Sequence, residues 1–206
     1  MKIFVIAAHG QVGQHVVDTL LENDYQVVAG YRDPATQAPA TASSELQAIA
    51  FDLTGSISDL AQAMHGCDAV IFAAGSQGKA LLAVDLDGAV KAMEAAQQAG
   101  IARFIQLSTL NAGDRKRWPA SLNDYYIAKY YADEWLMHHT TLDYVIVQPT
   151  TLTNDAPTGQ IKFEPTWQDT ISRQDVATVL VEAIESDQHR TTIQIANGNL
   201  PIAQAL

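Results

Sequence analysis

Hydrophobic positions near the start of the chain run without a break and then change period. Residues 2–7 (KIFVIA) form a short apolar run of the kind a buried strand needs, and Ala7-Ala8-His9-Gly10-Gln11-Val12-Gly13 follows directly. Val12, Val16 and Leu20 then recur at a spacing of four, which predicts a helix. Strand, glycine turn and helix in this order make a cradle for a phosphate. Gly10 and Gly13 remove Cβ atoms where a pyrophosphate approaches the backbone and where helix packs on strand. The free amides and positive end of the new helix favour an anion there.

The alternation continues. Strands are predicted at 26–31 (QVVAGY), 46–51 (LQAIAF), 69–74 (AVIFAA), 103–107 (RFIQL) and 144–148 (YVIVQ), with a last one at 192–196 (TIQIA). Helices are predicted near 57–65, 85–99 and 122–138. Ser172-x-x-Asp175 opens a final helix in the manner of a capping box, with Val176, Leu180 and Ile184 on one side. Strands alternating with helices imply an α/β fold, a doubly wound parallel sheet in three layers. Residues 33–44, 111–120 and 150–169 break the rhythm and read as loops. The last two follow strands five and six, at the carboxyl edge of the sheet, where ligands of such folds bind.

A length of 206 residues fits one domain, 1–206, burying about 70% of its unfolded surface. Within it, residues 150–206 read as a small C-terminal substrate-side segment. Apolar residues make up 48%, charged ones 17%, and the net charge is -11. That balance argues against nucleic acid or an anionic membrane as partner, while a few arginines still suffice for a phosphate ligand. The single cysteine, Cys67, excludes an internal disulfide and suits a reducing compartment. The first apolar stretch ends in His-Gly-Gln and reads as a strand, not a signal peptide, and no segment reaches bilayer-spanning length. A cytoplasmic protein is expected. The sequence is silent on oligomeric state, and a homo-oligomer stays open.

The residues at the strand ends suggest a dinucleotide. Ala7 stands where a G-x-x-G-x-x-G spacing has its first glycine, a change that costs little if its backbone angles are ordinary. In dinucleotide folds an acid some 20 positions past the glycines accepts the ribose 2'-hydroxyl, and a basic group there suits a 2'-phosphate. Arg32 occupies that position, while Asp33 beside it could face the ribose and oppose the phosphate. NADP(H) is therefore favoured over NAD(H). Asp52-Leu53 places a carboxylate for the adenine amino group, and Ala73-Ala74-Gly75 lets the adenosine lie close to the backbone. His9 either contacts the cofactor or faces solvent.

The candidate chemistry lies on the long helix. Tyr125 and Lys129 are four apart and share a face, so the ammonium is expected to lower the phenol pKa and to hold the nicotinamide ribose. Ser108, or its neighbour Thr109, would hydrogen-bond a substrate carbonyl beside the tyrosine. Tyr126 and Tyr130 are expected to pack against the core. His138-His139 point in different directions, so no metal is expected, and Cys67 reads as a small buried residue. Arg115-Lys116-Arg117 either attracts an anionic substrate or is a solvated loop.

AAHGQVG, YRDP, FDL, AVIFAAG, FIQLST, YYIAKYYADEWL, VIVQPT and ISRQDVA together resemble the atypical short-chain dehydrogenase/reductase family, the NAD(P)H-binding group that includes NmrA-like proteins and flavin or biliverdin reductases. The resemblance runs over essentially the whole chain. It implies a Rossmann-type fold with bound NADP(H) or NAD(H). The family's glycine motif falls on Ala7, Gly10 and Gly13, with His9, Gln11 and Val12 between them. Its basic residue falls on Arg32, its adenine-side acid on Asp52, and its Tyr and Lys on Tyr125 and Lys129. The implied function is an NAD(P)H-dependent oxidoreductase acting on a small carbonyl, quinone-like or flavin-like acceptor. The alternatives are an NmrA-like NADP(H) sensor with a protein partner, or an epimerase or isomerase that retains its cofactor. The short tail after residue 150 argues against a large nucleotide-sugar substrate.

Overall fold

The computed structural model describes residues 1–39 and 44–206. Its first half runs β1 (Lys2–Ile6), α1 (Gln11–Glu22), β2 (Gln26–Tyr31), α2 (Pro34–Gln37), β3 (Leu46–Ala50), α3 (Ile57–Met64) and β4 (Ala69–Phe72). A π-helical turn (Leu81–Leu86) then leads into α4 (Asp87–Gln98), β5 (Arg103–Leu107), α5 (Asn123–His139) and β6 (Asp143–Pro149). The remainder holds β7 (Thr151–Thr153), β8 (Gln160–Phe163), β9 (Thr170–Ser172), α6 (Arg173–Glu182), β10 (Thr191–Asn197), β11 (Leu200–Pro201) and α7 (Ile202–Ala205).

Among the described residues, all strands but β7 and β9 form one sheet, in the order β3-β2-β1-β4-β5-β6-β10-β8-β11. From β3 to β10 every neighbouring pair is parallel. This is a Rossmann-like α/β fold. Apolar residues point to both faces of each central strand. Ile3 and Val5 of β1 join the core beneath α1 and α6, while Phe4 and Ile6 join the core beneath α3 and α4. Val145 and Val147 of β6 alternate with Tyr144 and Ile146 in the same way. A strand buried on both faces needs no polar positions, which is why these segments read as unbroken apolar runs.

Caps fix where helices begin. The Ser172 hydroxyl accepts from the Asp175 amide at 2.9 Å and donates to the Asp175 carboxylate at 2.9 Å, so the capping signal seen in the sequence is realised. Ser56 and Asp59 repeat the arrangement at α3. Among the described residues no helix is long and apolar enough to cross a membrane.

Three expectations change. Residues 150–169, read as a loop, contain β7 and β8. β8 pairs antiparallel with β10, and β7 pairs with β9 in a separate small sheet. These strands are short and flanked by Pro157 and Pro165, and it is pairing with distant segments that makes them. The sheet is consequently mixed at this edge rather than wholly parallel. Residues 33–44 include α2, capped by Asp33, and residues 40–43 of that stretch lie outside the described residues. The helix expected at 85–99 is preceded by the π-helical turn.

The chain leaves β1 toward β2 and β3 on one side, then returns to build β4, β5 and β6 on the other. The crevice beyond the carboxyl ends of β1 and β4 is the topological switch point of such sheets. The approach of α1 to β1 there is tight, since a Cβ on Gly13 would lie 2.1 Å from the Ala7 carbonyl oxygen. The Gly13→Ala variant should therefore lose about 1 to 3 kcal/mol of stability. Urea denaturation measures this, and an unchanged midpoint would mean that α1 is free to shift.

Candidate functional site

The glycine turn at the end of β1 is built on an unusual alanine. Ala7 has φ 63°, in the left-handed region, so its angles are not the ordinary ones that would make its replacement of glycine inexpensive. The strain is about 1 kcal/mol. Its carbonyl accepts the Gly10 amide at 2.8 Å, which closes the turn. Gly10 is the extended N-cap of α1, and no side chain caps this helix. The amides of the first turn thus lack intrahelical acceptors and a side-chain partner, which suits an anion.

A cavity of about 430 Å³ opens from this turn across the ends of β2, β3 and β4. Of the residues expected to bind cofactor, Ala7, His9, Gly10, Gln11, Arg32, Asp52, Leu53, Ala74 and Gly75 line it. Val12 and Ala73 are buried, Gly13 packs on Ala7, and Lys129, which is not a lining residue, reaches the carbonyl of Ala74, which is. A wider, open groove of about 710 Å³ near Lys2, Gln47 and His65 lies at the amino ends of the strands, away from the switch point.

Two carboxylates near the cavity are turned to their own backbone. Asp33 accepts from the Ala35 amide at 3.2 Å and the Thr36 hydroxyl at 2.7 Å, capping α2. Asp52 accepts from the Thr54 amide at 2.9 Å and hydroxyl at 2.8 Å. Those two bonds, aided by the charges of Arg32 and Lys91, hold its carboxyl below the usual range. Arg32 is exposed, and among the described residues it makes no hydrogen bond or ion pair.

The residues expected to do chemistry form a second group, around the ends of β4 and β5. Lys129 is buried, and its ammonium donates to the carbonyls of Leu107 at 3.1 Å and Ala74 at 3.3 Å. Burial pushes its pKa down, against the pull of Asp85 and Asp133. Ser108 is also buried and donates to Asp133 at 2.6 Å. Gln106 and Gln148 donate to the same carboxylate at 2.7 and 3.1 Å. Burial pushes the Asp133 carboxyl up despite these bonds and the Lys129 charge.

Tyr125 stands apart from this network. It is half-buried and meets the Tyr126 ring edge-on at 5.7 Å, with the Thr109 hydroxyl as its neighbour. Its pKa is raised, first by burial and then by the charges of Asp85 and Asp133, with Thr109 opposing. The expected lowering by Lys129 is not what the structure brings about, because the ammonium is drawn to backbone carbonyls and buried acids lie near the phenol. Tyr126 is buried as expected, and its hydroxyl donates to the Leu110 carbonyl at 3.0 Å. In the basic loop, Arg115 stacks over Trp118, Tyr130 and Tyr131, while Arg117 pairs with Asp114 at 3.3 Å. Burial pushes the Cys67 thiol up to about 11. Among the described residues no three His, Cys, Asp or Glu side chains are grouped to hold a metal ion.

Sequence reasoning missed the two buried acids. Asp133 carried a usable signal, since it is four positions beyond Lys129 on the same helix face. Asp85, fully buried, interrupts the otherwise apolar run Leu81–Leu86.

Comparison with known proteins agrees with this geometry. A family model described as NAD(P)H-binding matches residues 7–187, from the glycine turn to beyond α6. The chain belongs to this NAD(P)H-binding family. The uncharacterized sugar epimerase YhfK of Bacillus subtilis is 40% identical over 213 residues, covering 100% of this chain and 99% of that one. The UPF0659 protein YMR090W of Saccharomyces cerevisiae is 34% identical, covering 98% and 96% of the two chains. The crystal structure of the oxidoreductase ylbE from Lactococcus lactis matches with a TM-score of 0.94 at 38% identity, covering 100% of this chain and 94% of that one. The residues present fit the dinucleotide that the family binds. Their cradle has no room for a Cβ at Gly13, its helix has no side-chain cap, and the Arg32 guanidinium lines the cavity.

The raised Tyr125 pKa has a testable sign. The folded state keeps this proton above the unfolded value of about 10, so the contribution to stability is present below that pH and is lost as pH rises through the folded value. Tyr25, pushed up to about 12, Tyr31 and Tyr126 act in the same direction. Urea midpoints measured between neutral and strongly alkaline pH should fall less for Tyr125→Phe than for the parent chain. Equal declines would mean that the phenol is not held protonated.

Proposed function

We propose that this chain is an NADP(H)-dependent oxidoreductase that reduces a small carbonyl, quinone-like or flavin-like acceptor. One observation carries the cofactor preference: Arg32 lines the cavity and, among the described residues, makes no hydrogen bond or ion pair, while Asp33 is engaged in capping α2. The carboxylate that could have repelled a 2'-phosphate is thus already committed. The glycine turn holds the diphosphate, and Asp52 and Ala74 border the adenosine. Bound there, the nicotinamide supplies a hydride.

The chain's own part in the chemistry is to hold and deliver a proton. Tyr125 keeps its phenolic proton at neutral pH, as a donor to a carbonyl oxygen must, and Thr109 is the hydroxyl beside it. Trp118 and Trp167 pack on Tyr126 at 5.7 and 6.3 Å, making an aromatic wall that favours a compact, flat acceptor. Trp167 comes from residues 150–206, which supports a substrate-side role for that segment. The relative named as an oxidoreductase supports the same reading. The one named as a sugar epimerase favours a second, in which the hydride returns to the substrate it came from.

Calorimetric titration separates these elements. Arg32→Ala should weaken NADPH about ten- to a hundredfold and leave NADH unchanged. An NADPH preference that survives the substitution would place the 2'-phosphate elsewhere. Tyr125→Phe should lower kcat for carbonyl reduction about 10²- to 10⁴-fold, and full activity would remove it as proton donor. Net oxidation of NADPH by an acceptor marks a reductase, whereas turnover with no net change in cofactor marks an epimerase.

A further inference from the structure

The glycine turn has neighbours on both sides. β2, which carries Arg32 just beyond its end, flanks β1 on one side, and β4 flanks it on the other. In the segment after β4, Ser76, Gln77, Lys79 and Ala80 line the same cavity. This lysine is exposed, and among the described residues its ammonium makes no hydrogen bond or ion pair.

The backbone that carries Lys79 is held in place. Gln77 and Gly78 both adopt left-handed angles, φ 54° and 82°. The Lys79 amide donates to the Ser76 carbonyl at 3.1 Å, and the Ala80 amide donates to the Ser76 hydroxyl at 3.0 Å. Ser76 itself is anchored from below, its amide donating to the fully buried Asp85 carboxylate at 3.1 Å. A left-handed turn at a non-glycine residue costs free energy, and here it is pinned by a buried acid at its base. The outcome is a cation held at the rim of an anion-binding cavity, in a chain whose net charge is -11.

We propose that Lys79 binds the diphosphate of the dinucleotide, from the side of the glycine turn opposite Arg32. The assignment rests on the dinucleotide-binding reading above. Strand order selects the diphosphate over the 2'-phosphate. A 2'-phosphate belongs at the end of β2, whereas the segment after β4 adjoins the glycine turn over which the diphosphate lies. An ammonium there also complements the first-turn amides of α1, which carry only partial charge.

The two cations therefore have separable signatures. The full-length protein and its Lys79→Gln, Lys79→Arg and Arg32→Ala variants are titrated calorimetrically with NADPH and with NADH. Both cofactors carry the diphosphate, so Lys79→Gln should weaken both by about tenfold or more, and Lys79→Arg should retain most of the affinity. Arg32→Ala should affect NADPH alone. Unchanged binding of both cofactors to Lys79→Gln overturns the assignment and leaves the dinucleotide reading intact. A loss confined to NADPH also overturns it, because Lys79 then holds the 2'-phosphate. A parent protein that binds neither cofactor overturns the dinucleotide reading, and the Lys79 assignment falls with it.

Discussion

The contact between the Ala7 carbonyl and Gly13 is the constraint on which the rest of this molecule depends. With a Cβ at Gly13 the separation would be 2.1 Å, so α1 can start where it does only because that atom is missing. The same carbonyl accepts the Gly10 amide, and Ala7 takes a left-handed angle to present it. These three residues bring the uncapped start of α1 to the carboxyl end of β1, at the point where the sheet changes direction. From there α1 packs along the sheet beside α6. Core geometry and anion-binding geometry are thus set by a single close approach.

A buried polar network performs a comparable task beyond the ends of β4 and β5. Asp85 and Asp133 are buried with Lys129, whose ammonium donates to the carbonyls of Ala74 and Leu107 and feels both acids through their charge. Isolated charges would be untenable there, and every member is hydrogen-bonded. Such a group adds little net stability over apolar residues of the same volume. What it adds is registry: Gln106 within β5 and Ser108 just beyond it, with Gln148 on β6, all converge on Asp133 and fix α5 against the sheet. The π-helical turn holding Asp85 is tied to the segment after β4 by the same means. Lys129 donates to backbone carbonyls in this network, and the charges of Asp85 and Asp133 help to raise the Tyr125 pKa.

Features governed by burial were legible in the sequence, and features governed by tertiary compensation were not. β1, β2, β4, β5 and β6 are flanked on both faces by helices, so their apolar runs mark them within a residue or two. The start of α6 was readable because its Ser172-Asp175 cap is local. β7, β8 and β9 were not, since strands of three or four residues owe their existence to partners distant in the chain. At the site, the glycine turn, Arg32 and Asp52 follow one another at successive strand ends and could be read in order. Whether Asp33 faced the ribose could not, because that depended on its capping α2. Lys79 had no pattern to announce it, and its place follows from the neighbour of β1 in the sheet.

The acidic balance of the chain and an anion as its ligand are reconciled by where the acids near the cavity point. Asp33 caps α2, Asp52 is bound by Thr54, and Asp85 is buried beneath Ser76. Each carboxylate is satisfied by a nearby backbone amide, which draws its charge toward the protein and away from the ligand. Arg32 and Lys79 stand at the same rim and, among the described residues, make no hydrogen bond or ion pair. Net charge sets the long-range field, but at about 8 Å in physiological salt that field is already screened, and contacts inside the cavity decide affinity. A protein of net charge -11 can therefore bind a polyanion, provided that its nearest acids are internally committed and its nearest cations are not.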